Sequence, residues 1–249
     1  MSGRRLSRGQ YKAMPGKYYG TPKEVWGFRT RASARAVPSV AADFLAANRE
    51  LFDTGLDRER LLGLMRHALR DVEDASLRVY VFEAEGAPAT MVTVRPAGEV
   101  TSPQRLQSVR YQRPDAHLKH LATGQAYYGR LAHRNGFDDA LLASDGGLVS
   151  ETAIANVGFL DSDGVVWPDA PQLHGITMQL LERDLPDRGV PSRRASVRLD
   201  DVASFEGAFL SNARGVAVVS QVDDVRLPLP SPRIEAVAAA YAAVPWDPI

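Results

Sequence analysis

Lys119 is the only lysine after residue 23 of this chain, whose other basic residues are almost all arginine. It stands in Leu118-Lys119-His120-Leu121, an amine among apolar neighbours just before a helical stretch. Burial disfavours an ammonium, so such a lysine can serve as a neutral nucleophile that condenses with an aldehyde. Three later segments offer matching chemistry. The run from Gly147 to Asn156 carries one charged residue, Glu151, and a buried carboxylate needs a cationic partner such as a protonated pyridine nitrogen. Leu173-His174-Gly175-Ile176-Thr177 opens a helix whose free N–H groups form an anion site suited to a phosphate. Phe209 to Gly215 is a strand running into a small polar turn, Ser211-Asn212-Ala213, able to close on the same anion. An amine, a carboxylate for a ring nitrogen and two phosphate cradles together make a site for pyridoxal phosphate.

Each residue also has a plain structural reading. Glu151 could be a surface strand residue, Thr177 a first-turn polar group and Asn212 a turn former bonded to its own backbone. Arg214 could pair with a substrate carboxylate or lie on an exposed turn. Tyr127 and Tyr128 read as core, and the pairs Asp138-Asp139, Asp200-Asp201 and Asp223-Asp224 as solvated turns.

Composition narrows the alternatives. With 249 residues, 45% of them hydrophobic, the chain can bury a core as one large domain or two modest ones. Thirty basic side chains balance thirty acidic ones, which gives no global pull toward nucleic acid or acidic lipid. The absence of cysteine removes thiolate nucleophiles, thiolate zinc sites and redox relays. No metal site is expected: the five histidines form no His-Glu-x-x-His, and His117 with His120 is at most a two-ligand fragment. No Gly-x-Ser-x-Gly elbow, Walker loop or Gly-x-Gly-x-x-Gly follows a strand. No apolar run reaches transmembrane length, and the Arg-rich start lacks a signal-peptide core, so a cytoplasmic protein without nucleic-acid or membrane partners is expected.

The elements that must position these residues follow from periodicity. Residues 1–45 show no sustained pattern beyond a short strand or two around Val25, Trp26 and Phe28. Helices are expected over 44–52 and 57–72, the latter capped by Asp57, followed by strands 77–85, 89–95 and 106–113 forming a first sheet. Then come a helix (122–134), strands 139–143, 148–151, 154–160 and 165–167, and a helix from Gly175 to Asp184. Strands 192–197, 208–211 and 216–221, a helical turn at 200–204 and a closing helix (232–244) complete the pattern. Helices and strands mix without a strict βαβ repeat, and the Pro-punctuated stretch near 113–116 puts the boundary just before Lys119.

The segments Lys119-His120-Leu121, Asn135 to Leu141, Val149-Ser150-Glu151 through Asn156, and Gly175-Ile176-Thr177 resemble, in order and spacing over about residues 105–225, the class IV (fold-type IV) pyridoxal phosphate enzymes. These include branched-chain and D-amino acid aminotransferases and 4-amino-4-deoxychorismate lyase; Lys119-His120-Leu121 and the Ser211-Asn212-Ala213 turn are closest to the lyase branch. The resemblance implies an α+β fold of two subdomains: a smaller N-terminal α/β unit (1–114) and a larger cofactor-binding unit (115–249) with a β-barrel-like sheet. It also implies that Lys119 binds the cofactor covalently and shuttles the proton, Glu151 pairs with the pyridine nitrogen, and Ile176, Thr177, Asn212 and Ala213 hold the phosphate. A homodimer is implied too, with a small amino acid or amine as donor and a 2-oxo acid as acceptor. Lyase-type elimination and a non-catalytic dimeric binding protein are the alternatives.

The chain departs from the family in three places. Phe28-Arg29-Thr30 stands where members have a Phe-Glu-Thr-like opening strand, and matches it only loosely. The His-x-x-Arg-Leu helix, whose arginine grips the phosphate, would put that arginine on Asp43, Ala46 or Arg49, of which only Arg49 is a substitute. Ala122-Thr123-Gly124 stands where relatives place a Tyr, Asn or Arg beside the cofactor or substrate.

Overall fold

The computed structural model describes residues 23–29, 46, 48–53, 55–72, 75–98, 102–120, 123–229 and 232–244. Thr30 and Asp43 lie outside them. Two sheets carry the fold.

The smaller sheet has the order β1(Lys23–Arg29)-β2(Ala75–Ala84)-β3(Ala87–Pro96), all antiparallel. β2 alternates buried and half-buried along its first eight residues, the period of a one-sided sheet. The β2–β3 turn is Glu85-Gly86, both left-handed (φ 53° and 77°), the geometry a tight two-residue hairpin requires. The Ala87-Pro88 pair expected in the turn instead begins β3. Helix α1 (Arg58–Leu69) is capped as expected: Asp57 Oδ1 accepts from the Glu59 and Arg60 N–H groups at 2.9 and 3.1 Å. It packs Leu61, Leu62 and Met65 on Leu77, Val79 and Val81; Ile176, Leu180 and Val244 from the second half of the chain join the same cluster.

The larger sheet has nine strands: β4(Gln104–Arg110), β5(Asp139–Ala143), β6(Val149–Thr152), β7(Asn156–Leu160), β8(Val165–Pro168), β9(Ser192–Ala195), β10(Gly207–Asn212), β11(Gly215–Val222) and β12(Val225–Arg226). Its order is β6-β5-β4-β11-β10-β7-β8-β9, with β12 on β11, and it curls into a half-barrel. β4, expected beside β2 and β3, instead lies parallel to both β5 and β11 and stops at Arg110, three residues short of the sequence expectation. Its hydrogen bonds in the large sheet place it there; strand periodicity names no partner.

Inside the half-barrel Leu106, Leu141, Val157, Phe159, Leu210 and Val219 form one core. Helix α2 (Thr123–Arg134) covers Ala140 and Leu142 on the outer face. Helices α3 (Ile176–Asp184) and α4 (Pro232–Ala242) cover Leu160, Trp167 and Phe209. Gly158 is cut away for this layer, since a Cβ there would stand 2.5 Å from the Phe209 ring.

Candidate active site

α3 starts cleanly because Gly175 takes the extended N-cap conformation (φ −64°, ψ 143°) and supplies no side-chain cap. The first-turn N–H groups of Ile176 and Thr177 thus keep the donor character of an uncapped helix start. Glycine is required at this position: Asn156 Oδ1 occupies the place a Gly175 Cβ would take. Asn156 is held in turn, its Nδ2 donating to Gln172 Oε1 (3.1 Å) and the Leu173 carbonyl (2.6 Å).

The two expected cradle pieces meet. Thr177 Oγ1 donates to the Asn212 carbonyl at 2.8 Å, tying the α3 start to the end of β10. Asn212 Oδ1 accepts from the Arg214 N–H at 2.8 Å and shapes the turn that carries Ala213. Ser211 pairs in register with Asn156 and, by strand alternation, shares the face of Phe209, the one that α3 covers. Its hydroxyl is buried and, among the described residues, has no hydrogen-bond partner. An orphaned O–H beside an uncapped helix start fits a phosphate: both offer donors, and a buried donor left unpaired costs about 1–3 kcal/mol.

Glu151 is 4% exposed, which removes its surface reading. Its Oε1 accepts from Arg113 Nε at 2.9 Å, and its Oε2 from the Leu173 N–H at 3.4 Å, two residues before Gly175. Burial pushes its carboxyl above the usual range, while the nearby charges of Arg113 and Lys119 pull it back. Lys119 is half-buried and close enough for its charge to act on that carboxylate. The amine, the carboxylate and the segment leading to Gly175 therefore share one neighbourhood.

Arg113 was not singled out by sequence. A buried arginine next to Pro114 carries no spacing signal; the one hint was a lone acid in an apolar run that demanded a cation. Tyr111 was missed too. Its ring lies over Gly124, where a Cβ would come within 2.6 Å of it, and burial raises its phenol. The small residue at 124 is what admits that ring.

Arg49 is exposed and its guanidinium extends toward Gly55, and Ala46 is exposed as well. His117 pairs with Glu50 at 2.9 Å, and His120 bonds the Pro114 carbonyl at 2.7 Å. Among the described residues no cluster of His, Asp or Glu could hold a metal ion, and no helix is long and apolar enough to cross a membrane. Tyr127 is 49% exposed and so is not core. Asp139 is not a solvated turn residue but is 2% exposed at the start of β5, where side chains alternate between two covered faces.

Burial raises the Asp139 carboxyl above the ordinary aspartate value. The native state thus binds that proton more tightly than the unfolded chain, and stability falls as pH rises from the ordinary value through the raised one. Asp139→Asn is expected to flatten that fall, read as thermal midpoints from pH 4 to 7; an unchanged slope refutes it.

The half-barrel beside a smaller sheet is the fold of the fold-type IV pyridoxal phosphate enzymes. Residues 44–222 match the amino-transferase class IV family, and the chain belongs to it. A "Probable branched-chain-amino-acid aminotransferase" of Rickettsia felis is 30% identical over 94 residues, 37% of this chain. That match spans only 31% of the curated relative's length. A branched-chain aminotransferase of Thermoproteus uzoniensis, solved with norvaline, superposes with a TM-score of 0.83 at 17% identity, covering 96% of this chain and 91% of the other. A hypothetical aminotransferase of Mycobacterium tuberculosis, solved with alpha-ketoglutarate and PMP, gives 0.81 at 20% identity over 96% and 95%.

Proposed function

We propose that this chain is a pyridoxal phosphate-dependent aminotransferase that moves nitrogen from a small amino acid or amine to a 2-oxo acid. What supports this reading is the buried Glu151 carboxylate, on which the charge of Lys119 acts and which accepts from the Leu173 N–H, four residues before the Thr177 hydroxyl that bonds Asn212. Ile176, Thr177, Asn212 and Ala213, with Ser211, would hold the phosphate, and Glu151 the ring nitrogen. Bound there, the cofactor supplies an aldehyde for the substrate amine and a ring that accepts an electron pair from the substrate carbon. Lys119 would hold the cofactor through its Nζ, and with substrate bound the same amine would take the proton from the substrate Cα. Glu151, kept out of water, holds a proton on the ring nitrogen. With Arg49 exposed and extended toward Gly55, the hydroxyls and amides of the cradle would carry the duty of the family's phosphate-gripping arginine.

The test is a titration of purified protein with pyridoxal phosphate followed in visible absorbance, then turnover of amino donors with and without a 2-oxo acid. Transamination requires the acceptor; pyruvate released without one would indicate elimination, and a colourless protein that takes up no cofactor would sink the reading. Ser211→Ala is expected to weaken cofactor binding about tenfold or more, the worth of one hydrogen bond to a charged group. Equal affinities would exclude Ser211 from the cradle.

A further inference from the structure

Arg113 lies six residues before Lys119, and its side chain is 3% exposed. Its Nε donates to Glu151 Oε1 at 2.9 Å, while its two terminal nitrogens donate to the main-chain carbonyls of Leu118 and Ala116. These carbonyls belong to the turn that ends at Lys119. The turn is also held by the Leu118 N–H on the Asp115 carbonyl (2.8 Å), the His120 N–H on the Leu118 carbonyl (3.0 Å) and the His120 ring on the Pro114 carbonyl (2.7 Å), with Asp115 in the left-handed region at φ 44°. One buried guanidinium thus joins the carboxylate to the chain that presents the amine. The planar fork explains why arginine stands here: an ammonium offers no fixed geometry for three partners. With Oε1 engaged at 2.9 Å, the Oε2 bond that the described residues show is the 3.4 Å one from Leu173.

We propose that Arg113 is the positioning residue of this site: through Oε1 it sets Glu151 so that Oε2 receives the ring nitrogen, and through the two carbonyls it fixes the turn that places Lys119 Nζ. The proposal rests on the roles given above to Lys119 and Glu151. The charged and titratable groups acting on Glu151 are Arg113, Lys119 and Tyr111. Removal of Arg113 takes from Glu151 its bonded cation, so the carboxyl keeps its proton to higher pH and holds one on the ring nitrogen less well. A ring without that positive charge lets the lysine-bound form keep its own proton to higher pH.

The experiment compares full-length wild type, Arg113→Met, Arg113→Lys, Glu151→Gln and Arg113→Met/Glu151→Gln. It reads cofactor dissociation constants and the pH midpoint of the visible band of the lysine-bound cofactor. Arg113→Met is expected to raise the midpoint by about one unit in the wild-type background and to leave it unmoved in the Glu151→Gln background, the coupling expected of a residue that acts through its neighbour. Arg113→Lys keeps a cation beside Glu151 and should hold the midpoint, while its loss of the two carbonyls weakens cofactor binding about tenfold. A midpoint that Arg113→Met leaves in place, or shifts equally in both backgrounds, overturns the coupling to Glu151. Wild-type affinity in Arg113→Lys overturns the hold on the turn. Should Arg113→Met not fold, the lysine variant and the double variant, compared with Glu151→Gln, still decide. Failure of wild type to take up cofactor, or borohydride fixation that survives Lys119→Ala, would instead defeat the reading of the site itself.

Discussion

Lys119→Ala is expected to give a folded protein that no longer fixes pyridoxal phosphate on borohydride reduction and turns over amino donors at least about a hundredfold more slowly. The loss follows from removing both the amine that captures the aldehyde and the base that moves the proton, a role worth about 10²- to 10⁴-fold by itself. The fold should survive, because the residues that bury the turn are Leu118 and Ala116, and Arg113 bonds the carbonyls of those two residues. Mass spectrometry of the reduced protein and a thermal melt check both halves. An adduct still present in the variant places the reactive amine elsewhere.

Glu151→Ala is expected to do the opposite and cost stability first. It strips a 4%-exposed carboxylate from the Arg113 guanidinium and leaves a buried charge without its partner. Breaking a buried pair from one side costs about 3–5 kcal/mol, which for a chain of this size lowers the melting midpoint by roughly 6–20 °C. Glu151→Gln, which keeps an acceptor oxygen for Arg113, should melt within a few degrees of wild type and still bind cofactor poorly. A Glu151→Ala variant that melts with wild type would show that water or another group satisfies Arg113.

Much of this was legible before any coordinates. Asp139–Ala143 was bounded to the residue as a strand, and the helix from Gly175 was placed within one position, because a glycine cap and a run of apolar residues are local signals. The segments around Thr177 and Asn212 could be picked out, since a helix start after a glycine and a small polar turn both offer donors, and the hydrogen bond between them is seen only in the fold. Partners far apart in sequence were not legible. Arg113 meets Glu151 across 38 positions, β4 finds β11 across more than a hundred, and the Tyr111 ring settles over Gly124 only once both are folded. The burial of Asp139 was hidden for the same reason: two adjacent aspartates read as a turn until the sheet that covers one of them is known.

The parallel pairing of β4 has a consequence for biosynthesis. Its two neighbours are β5, some thirty residues on, and β11, where Leu106 meets Val222. As the ribosome releases the chain, β4 can bind β5 early, but its other edge stays bare until β11 emerges. Joining ends that distant is slow, and an uncovered strand edge invites contacts with other chains. The turn that carries Lys119 comes soon after β4, so a nascent chain holds that lysine on an unfinished scaffold until the far edge of β4 is paired.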